Sequence, residues 1–344
     1  MVVRRPSLAI FGARLAMAVA VALVAGAPEA QANEPSPGSA PRASLVSPAP
    51  RAPASIAGTP AHQIAPDLAG TPIAFDRWKG LSYGTYLAPK ADFVAPDGGV
   101  DVVFHFHAGQ MAERHMKESG ANAVFVSCGF GIGSGAYAEA FASPQRFGRM
   151  LEELVKNVET STGKRGLHVR HLALASWSAG FASVSKILGV DRYYAMVDAV
   201  VLNDSLHSQY LDKTASAPRA VDPKMMGAFI RFARDAAAGK KAMVITHSAI
   251  VPPDYASSTE ATQTLLAAVE VASTIVEPGE TSSRNMTLTR RADAGNLHVR
   301  GFRGGGPRDH FNHLYLLGEG LSAWVVPRWK REDRLVYTLA GEQL

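Results

Sequence analysis

Three kinds of side chain in this sequence could together break an acyl bond: a serine set between small residues, histidines able to accept its proton, and aspartates able to orient a histidine. The serine is Ser178, in the run Ser176-Trp177-Ser178-Ala179-Gly180. Before it, apolar residues alternate or run together as in a strand; after it, Phe181, Val184, Ile187 and Leu188 recur at helical spacing. A strand that turns into a helix around one serine exposes the hydroxyl at the helix N-terminus, beside backbone N–H groups that can hold an oxyanion. Small neighbours are needed because so tight a turn brings backbones together. A serine that only caps the helix would give the same five residues.

The proton acceptor must come from elsewhere. Two histidines follow the last apolar segment, in Gly304-Gly305-Gly306-Pro307-Arg308-Asp309-His310-Phe311-Asn312-His313. The glycines suit a flexible approach, and a helix is expected from Phe311 onward, which leaves His310 in the loop and His313 inside the helix. His310 is the preferred base and His313 the alternative. The acid is Asp204, at the end of the run VVLND, or Asp254, in a Pro-Pro loop seven residues beyond His247. Asp204 is preferred because it ends a strand on the same edge as Ser178. Its competing role is a turn cap, with Ser205 behind it.

The elements that must position these groups alternate along the chain. Strands are expected over 81–88, 99–109, 121–128, 167–176, 197–204, 241–248 and 296–303, with helices over 110–119, 144–160, from 181, 224–238, 260–272 and 311–323. This order predicts an α/β fold, a mostly parallel central sheet with helices on both faces. Reactive groups in such sheets collect at the carboxyl ends of the strands.

Element order and these motif positions resemble the α/β-hydrolase superfamily over residues 75–330. The resemblance implies Ser178 as nucleophile, followed in the chain by its acid and then its histidine, with the Ala179 N–H as one oxyanion donor. It implies a second donor in the loop His107-Ala108-Gly109-Gln110. Two departures stand out. Ser176 occupies the place of the family's first Gly, and Ala108 separates the His from the Gly of the oxyanion motif, so either the Ala108 or the Gly109 N–H donates. The family's more common acid position follows the next strand, where only Asp254 is on offer. His107 itself is expected to hold its loop by hydrogen bonding.

Other chemistries compete. His105 and His107, two apart on a strand, could begin a metal site for a metal-dependent hydrolase, but no Asp-His pair follows them and no HExxH occurs. Gly131, Gly133 and Ala136 have a dinucleotide-loop spacing; bordering the cleft is the expected role of that loop. A binding module that kept the fold and lost the chemistry is a third reading. No cofactor and no metal are expected.

The 344 residues are 47% hydrophobic and 19% charged, enough to bury a sizeable core. A single cysteine, Cys128, excludes an intramolecular disulfide and a Cys-rich zinc site. Residues 1–32 read as a secretory signal peptide: Arg4, Arg5 and Arg14 precede an uncharged run, and Ala30-Gln31-Ala32 makes a cleavage site. The run is too short to span a bilayer, so no stable membrane span is expected after cleavage. Residues 33–65, rich in Pro, Ala and Ser, read as a disordered tether, and 66–344 as the hydrolase domain. The formal charge of +5 includes three leader arginines and leaves no nucleic-acid footprint. The sequence therefore predicts an exported serine hydrolase, periplasmic or secreted. Its expected partner is a small-molecule or polymer acyl substrate, an ester before an amide or peptide.

Overall fold

Short runs rich in β-branched and aromatic side chains form the centre of the molecule, because they are too brief for helices and fit a pleated, buried surface. A computed structural model describes residues 72–341, apart from 217, 278–280 and 282–284, with side chains described as far as residue 333. The expected leader at 1–32 and tether at 33–65 lie outside the described residues. The strands are β1 (Lys79–Leu81), β2 (Gly84–Leu87), β3 (Gly99–Phe106), β4 (Val124–Cys128), β5 (His168–Trp177), β6 (Ala199–Asn203), β7 (Ala242–His247), β8 (Thr274–Ile275), β9 (Leu288–Ala294) and β10 (Leu297–Phe302). The helices are α1 (Glu113–Glu118), α2 (Ser134–Ala140), α3 (Arg146–Thr162), α4 (Phe181–Leu188), α5 (Asp191–Met196), α6 (Gly227–Ala237), α7 (Ser258–Ala268), α8 (Pro307–Leu314), α9 (Leu317–Gly320) and α10 (Val326–Gly341).

The strands form one sheet in the order β1-β2-β4-β3-β5-β6-β7-β10-β9-β8. Neighbours from β4 through β10 run parallel. The pairs at the two edges run antiparallel. Alternation along the strands feeds two cores. Phe104, Phe106, Leu172, Leu174, Leu202 and Ile245 pack under α3, α4, α6 and α7, whereas Val103, Ala173, Ala175, Val201 and Val244 face α1, α9 and the segment that ends at Trp329. The architecture is therefore α/β, a mostly parallel sheet covered on both faces. On α3 one stripe, Phe147, Met150, Leu151, Leu154 and Val158, is buried. Each such side chain contributes about 1.5–3 kcal/mol.

Three differences from the sequence pattern have physical causes. The strand expected over 81–88 is a hairpin, β1 and β2, turned at Ser82 and Tyr83. Strand β9, next to the short edge strand β8, has no counterpart in the sequence pattern because it buries little: only Leu288 and Ala292 of its LTRRADA are covered. The last helical region begins at Pro307, four residues early. Pro307 at the first position suits a helix start, and the Asp309 carboxylate accepts the Gly306 N–H at 2.9 Å, capping the turn. His310 therefore sits in the first turn of α8 rather than in the preceding loop.

Parallel strands point the same way, so the loops after β3, β4, β5, β6, β7 and β10 emerge at one edge of the sheet. Ser178 follows β5, Asp204 follows the neighbouring β6, and α8 follows β10.

Candidate active site

Strand β5 is extended through Trp177, and Ser178 then turns to φ 51°. A residue with a Cβ is strained in that left-handed region. The close approach behind the turn explains the last glycine of the motif: a Cβ on Gly180 would lie 2.2 Å from Phe106 O, at the end of β3. At the motif's first position Ser176 is buried, with its Oγ 2.8 Å from Ser205 Oγ. Ser205 Oγ in turn donates to Ser178 O at 2.8 Å, so the Ser176 hydroxyl is the donor to Ser205. This relay ties the end of β6 to the turn.

Among the described residues six non-glycines have positive φ, and four of them are His107, Ala108, Ser178 and Asp204. Strain held in place by surrounding structure is characteristic of functional sites.

Asp204 is 2% exposed and accepts three hydrogen bonds. Its Oδ2 takes one from His310 Nδ1 at 2.7 Å. Its Oδ1 takes the Ser248 N–H at 3.0 Å and the Ser258 hydroxyl. Two of these donors are 44 and 54 residues away in sequence, so the carboxylate is not a local turn cap. Burial alone would raise the Asp204 pKa, but the His310 hydrogen bond, the His313 and His310 charges and the Ser258 hydroxyl together hold it well below the usual carboxylate range. The side chain reaches past the end of β7, where Ser248 meets it. The position just past β7 thus carries a donor to Asp204 and not an acid.

His310 is further held by Trp177, whose Nε1–H donates to His310 O at 2.8 Å and whose ring centroid lies 4.6 Å from the imidazole. Trp177 also stacks on His107, at 5.1 Å and an interplanar angle of 14°. His107 Nδ1 is 2.6 Å from Tyr137 Oη, which accepts the Phe130 N–H at 3.3 Å. The glycine-rich loop after β4 is therefore tied to the loop after β3. Gly131 and Gly133 have φ of 115° and 87°, and a Cβ at either would meet open space, so these glycines serve the turn and not a close approach. Burial and, secondarily, the His310 charge lower the His107 pKa. Among the described residues neither the Ala108 nor the Gly109 N–H has a backbone acceptor, whereas the His107 N–H donates to Cys128 O at 2.9 Å. Ala179, beside Ser178, starts the turn into α4.

The structure separates the remaining candidates. His313 is fully buried, with Nδ1 2.8 Å from Thr246 Oγ1, and burial lowers its pKa to about 4. Asp254 is exposed in the loop after β7. His105 packs edge-on to Phe125, with both ring nitrogens unpartnered, and burial with the His107 charge lowers its pKa to about 3. His105 and His107 therefore face different surroundings. Among the described residues no cluster of three or more His, Cys, Asp or Glu side chains could hold a metal ion. Trp177, Ser205, Ser248 and Ser258 escape sequence reasoning as parts of the site; their partners are distant in the chain and leave no local signal.

No family model matches the chain, and no curated protein matches it in sequence. Among solved structures, the enterobactin esterase FES from Shigella flexneri with 2,3-di-hydroxy-N-benzoyl-serine matches at a TM-score of 0.45 and 12% identity, over 78% of this chain and 63% of that one. Est1E from Butyrivibrio proteoclasticus matches at a TM-score of 0.34 and 12% identity, over 75% of this chain and 100% of that one. The chain spans less than two thirds of the enterobactin esterase it matches.

Proposed function

We propose that this chain is an exported serine hydrolase that cleaves an acyl bond, an ester rather than an amide. The reading is carried by one observation: His310, bonded through Nδ1 to the buried Asp204, is tied through its backbone to Trp177, the residue before the strained Ser178. With the Nδ1–H donating its hydrogen bond to Asp204, Nε2 is left as the acceptor.

Ser178 Oγ attacks the substrate carbonyl carbon while His310 Nε2 takes the hydroxyl proton. The imidazolium then protonates the departing alkoxide, leaving an acyl-enzyme. Water enters by the same two steps in reverse order and releases the acid and free Ser178. Asp204 stays ionised throughout and keeps the imidazole in the required tautomer. The N–H groups of Ala179 and of Ala108 or Gly109 hold the oxyanion. Export through the leader at 1–32, with 33–65 as tether, belongs to the same reading.

A fluorophosphonate probe should label the purified protein at Ser178. Ser178→Ala should abolish labelling and lower ester turnover by about 10^4-fold or more. Retained turnover in Ser178→Ala would sink the reading. Matched ester and amide substrates test the choice of bond.

A further inference from the structure

We propose that Trp177 is a positioning residue for the base His310: its N–H fixes the backbone of that residue, and its indole face stabilises the imidazolium formed when His310 takes the serine proton. The inference rests on the hydrolase reading above for its catalytic consequence, though not for the interaction itself.

The geometry has two parts. The Nε1–H of Trp177 donates to His310 O at 2.8 Å, bridging residues 133 apart in sequence. The two rings lie 4.6 Å apart between centroids with an interplanar angle of 32°, close enough and flat enough for the imidazole to meet the indole face. A cation over an indole face is held by the ring quadrupole, and more strongly where water is scarce. Trp177 is 4% exposed and the His310 side chain 23% exposed. The contact is largely dry.

Core packing alone would not require an indole here. A leucine or phenylalanine could fill the apolar volume, but neither could donate to His310 O. The position is also informative, because Trp177 is the residue next to the nucleophile, so its ring couples the base to the turn that carries Ser178.

Other groups act on His310 from every side. Asp204 meets it from the end of β6, His107 from the loop after β3, His207 from the loop after β6, and His313 from α8 itself. Burial is the leading cause that keeps the three histidines below the ordinary imidazole value. Asp204 is then the charged neighbour that favours the cation, and the indole face adds to it.

The test uses Trp177→Phe, which keeps an aromatic face and loses the N–H, and Trp177→Leu, which loses both. Steady-state kinetics on a small ester from about pH 5 to about pH 9 are paired with NMR titration of the His310 ring. The expected result is a fall in kcat of about fivefold for Trp177→Phe and about thirtyfold for Trp177→Leu, with KM unchanged. The acidic limb of the rate and the His310 titration should both move to lower pH in Trp177→Leu. A folded Trp177→Leu with wild-type kcat, or with lower kcat and an unmoved titration, would overturn the proposal and leave Trp177 a packing residue. Because the titration needs no turnover, a shifted midpoint in a protein that hydrolyses no ester would keep this inference and reject the hydrolase reading. If Trp177→Leu does not fold, Trp177→Phe decides: a lower kcat at unchanged KM supports the proposal, and a wild-type kcat overturns it.

Discussion

Asp204→Asn isolates the orienting carboxylate with almost no change in shape. The amide oxygen can keep the place of Oδ1, where it still accepts from the Ser248 N–H and the Ser258 hydroxyl. The amide nitrogen then takes the place of Oδ2, 2.7 Å from His310 Nδ1. Two donors cannot share that contact, so the imidazole must present a bare Nδ1 and carry its proton on Nε2. That is the atom the reaction needs as acceptor. Turnover should fall by about 10^4-fold, which corresponds to about 5 kcal/mol of lost transition-state stabilisation. Folding stability should change far less, by under about 2 kcal/mol, because two of the three hydrogen bonds survive and one buried charge is removed. Single-substrate kinetics and thermal melts of wild type, Asp204→Asn and Asp254→Asn are the assay. Asp254→Asn, altered at an exposed loop position, should leave both quantities unchanged. Asp204→Asn within about tenfold of wild type would refute the reasoning, since no tautomer penalty of the expected size could then be operating.

The two histidines of α8 should separate by rate: His310→Ala should lose about 10^4-fold in kcat and also some stability, because the buried Asp204 carboxylate keeps only its Ser248 and Ser258 donors. His313→Ala should cost about 2–4 kcal/mol by opening a cavity and stranding the Thr246 hydroxyl while the folded variant keeps most of its kcat, and a loss of about 10^4-fold in folded His313→Ala with kcat kept in His310→Ala would make His313 the base. Stability should also fall on mild acidification. Burial is the chief cause that lowers His105 to about 3 and His247 and His313 to about 4 in the fold, against about 6.5 unfolded, so below that pH the unfolded chain binds protons that the fold refuses. Together the three lose roughly 4 kcal/mol between about pH 7.5 and about pH 5.5. His171, raised by its hydrogen bonds to Asp198 and Asp333 against the burial that would lower it, acts in the opposite sense. Asp204, whose pKa is depressed, contributes stability that is present above about pH 4 and is lost only as the pH falls below it, so it does not enter this comparison. Denaturant melts at the two pH values measure the difference, and equal stability would contradict the buried, neutral state of these rings.

Local physics made part of this protein legible in its sequence. The strand-to-helix joint at Ser178 could be read because hydrophobic period changes from two to about 3.6 within a few residues, and a sharp turn demands small neighbours. The α/β alternation could be read for the same reason. Tertiary structure decided what no local pattern encodes. The start of α8 at Pro307 is a local signal, a proline at the first position and a cap from Asp309, but which ring faces Asp204 and which enters the core depended on how α8 packs against β6 and β7. The choice between Asp204 and Asp254 depended on where β6, β7 and α8 meet, since a carboxylate can stay charged in the interior only where several donors converge on it. Those donors, His310, Ser248 and Ser258, come from separate elements. The role of Ser176 was likewise hidden: its partner Ser205 lies just past the end of the next strand, and only pairing of β5 with β6 brings their hydroxyls together.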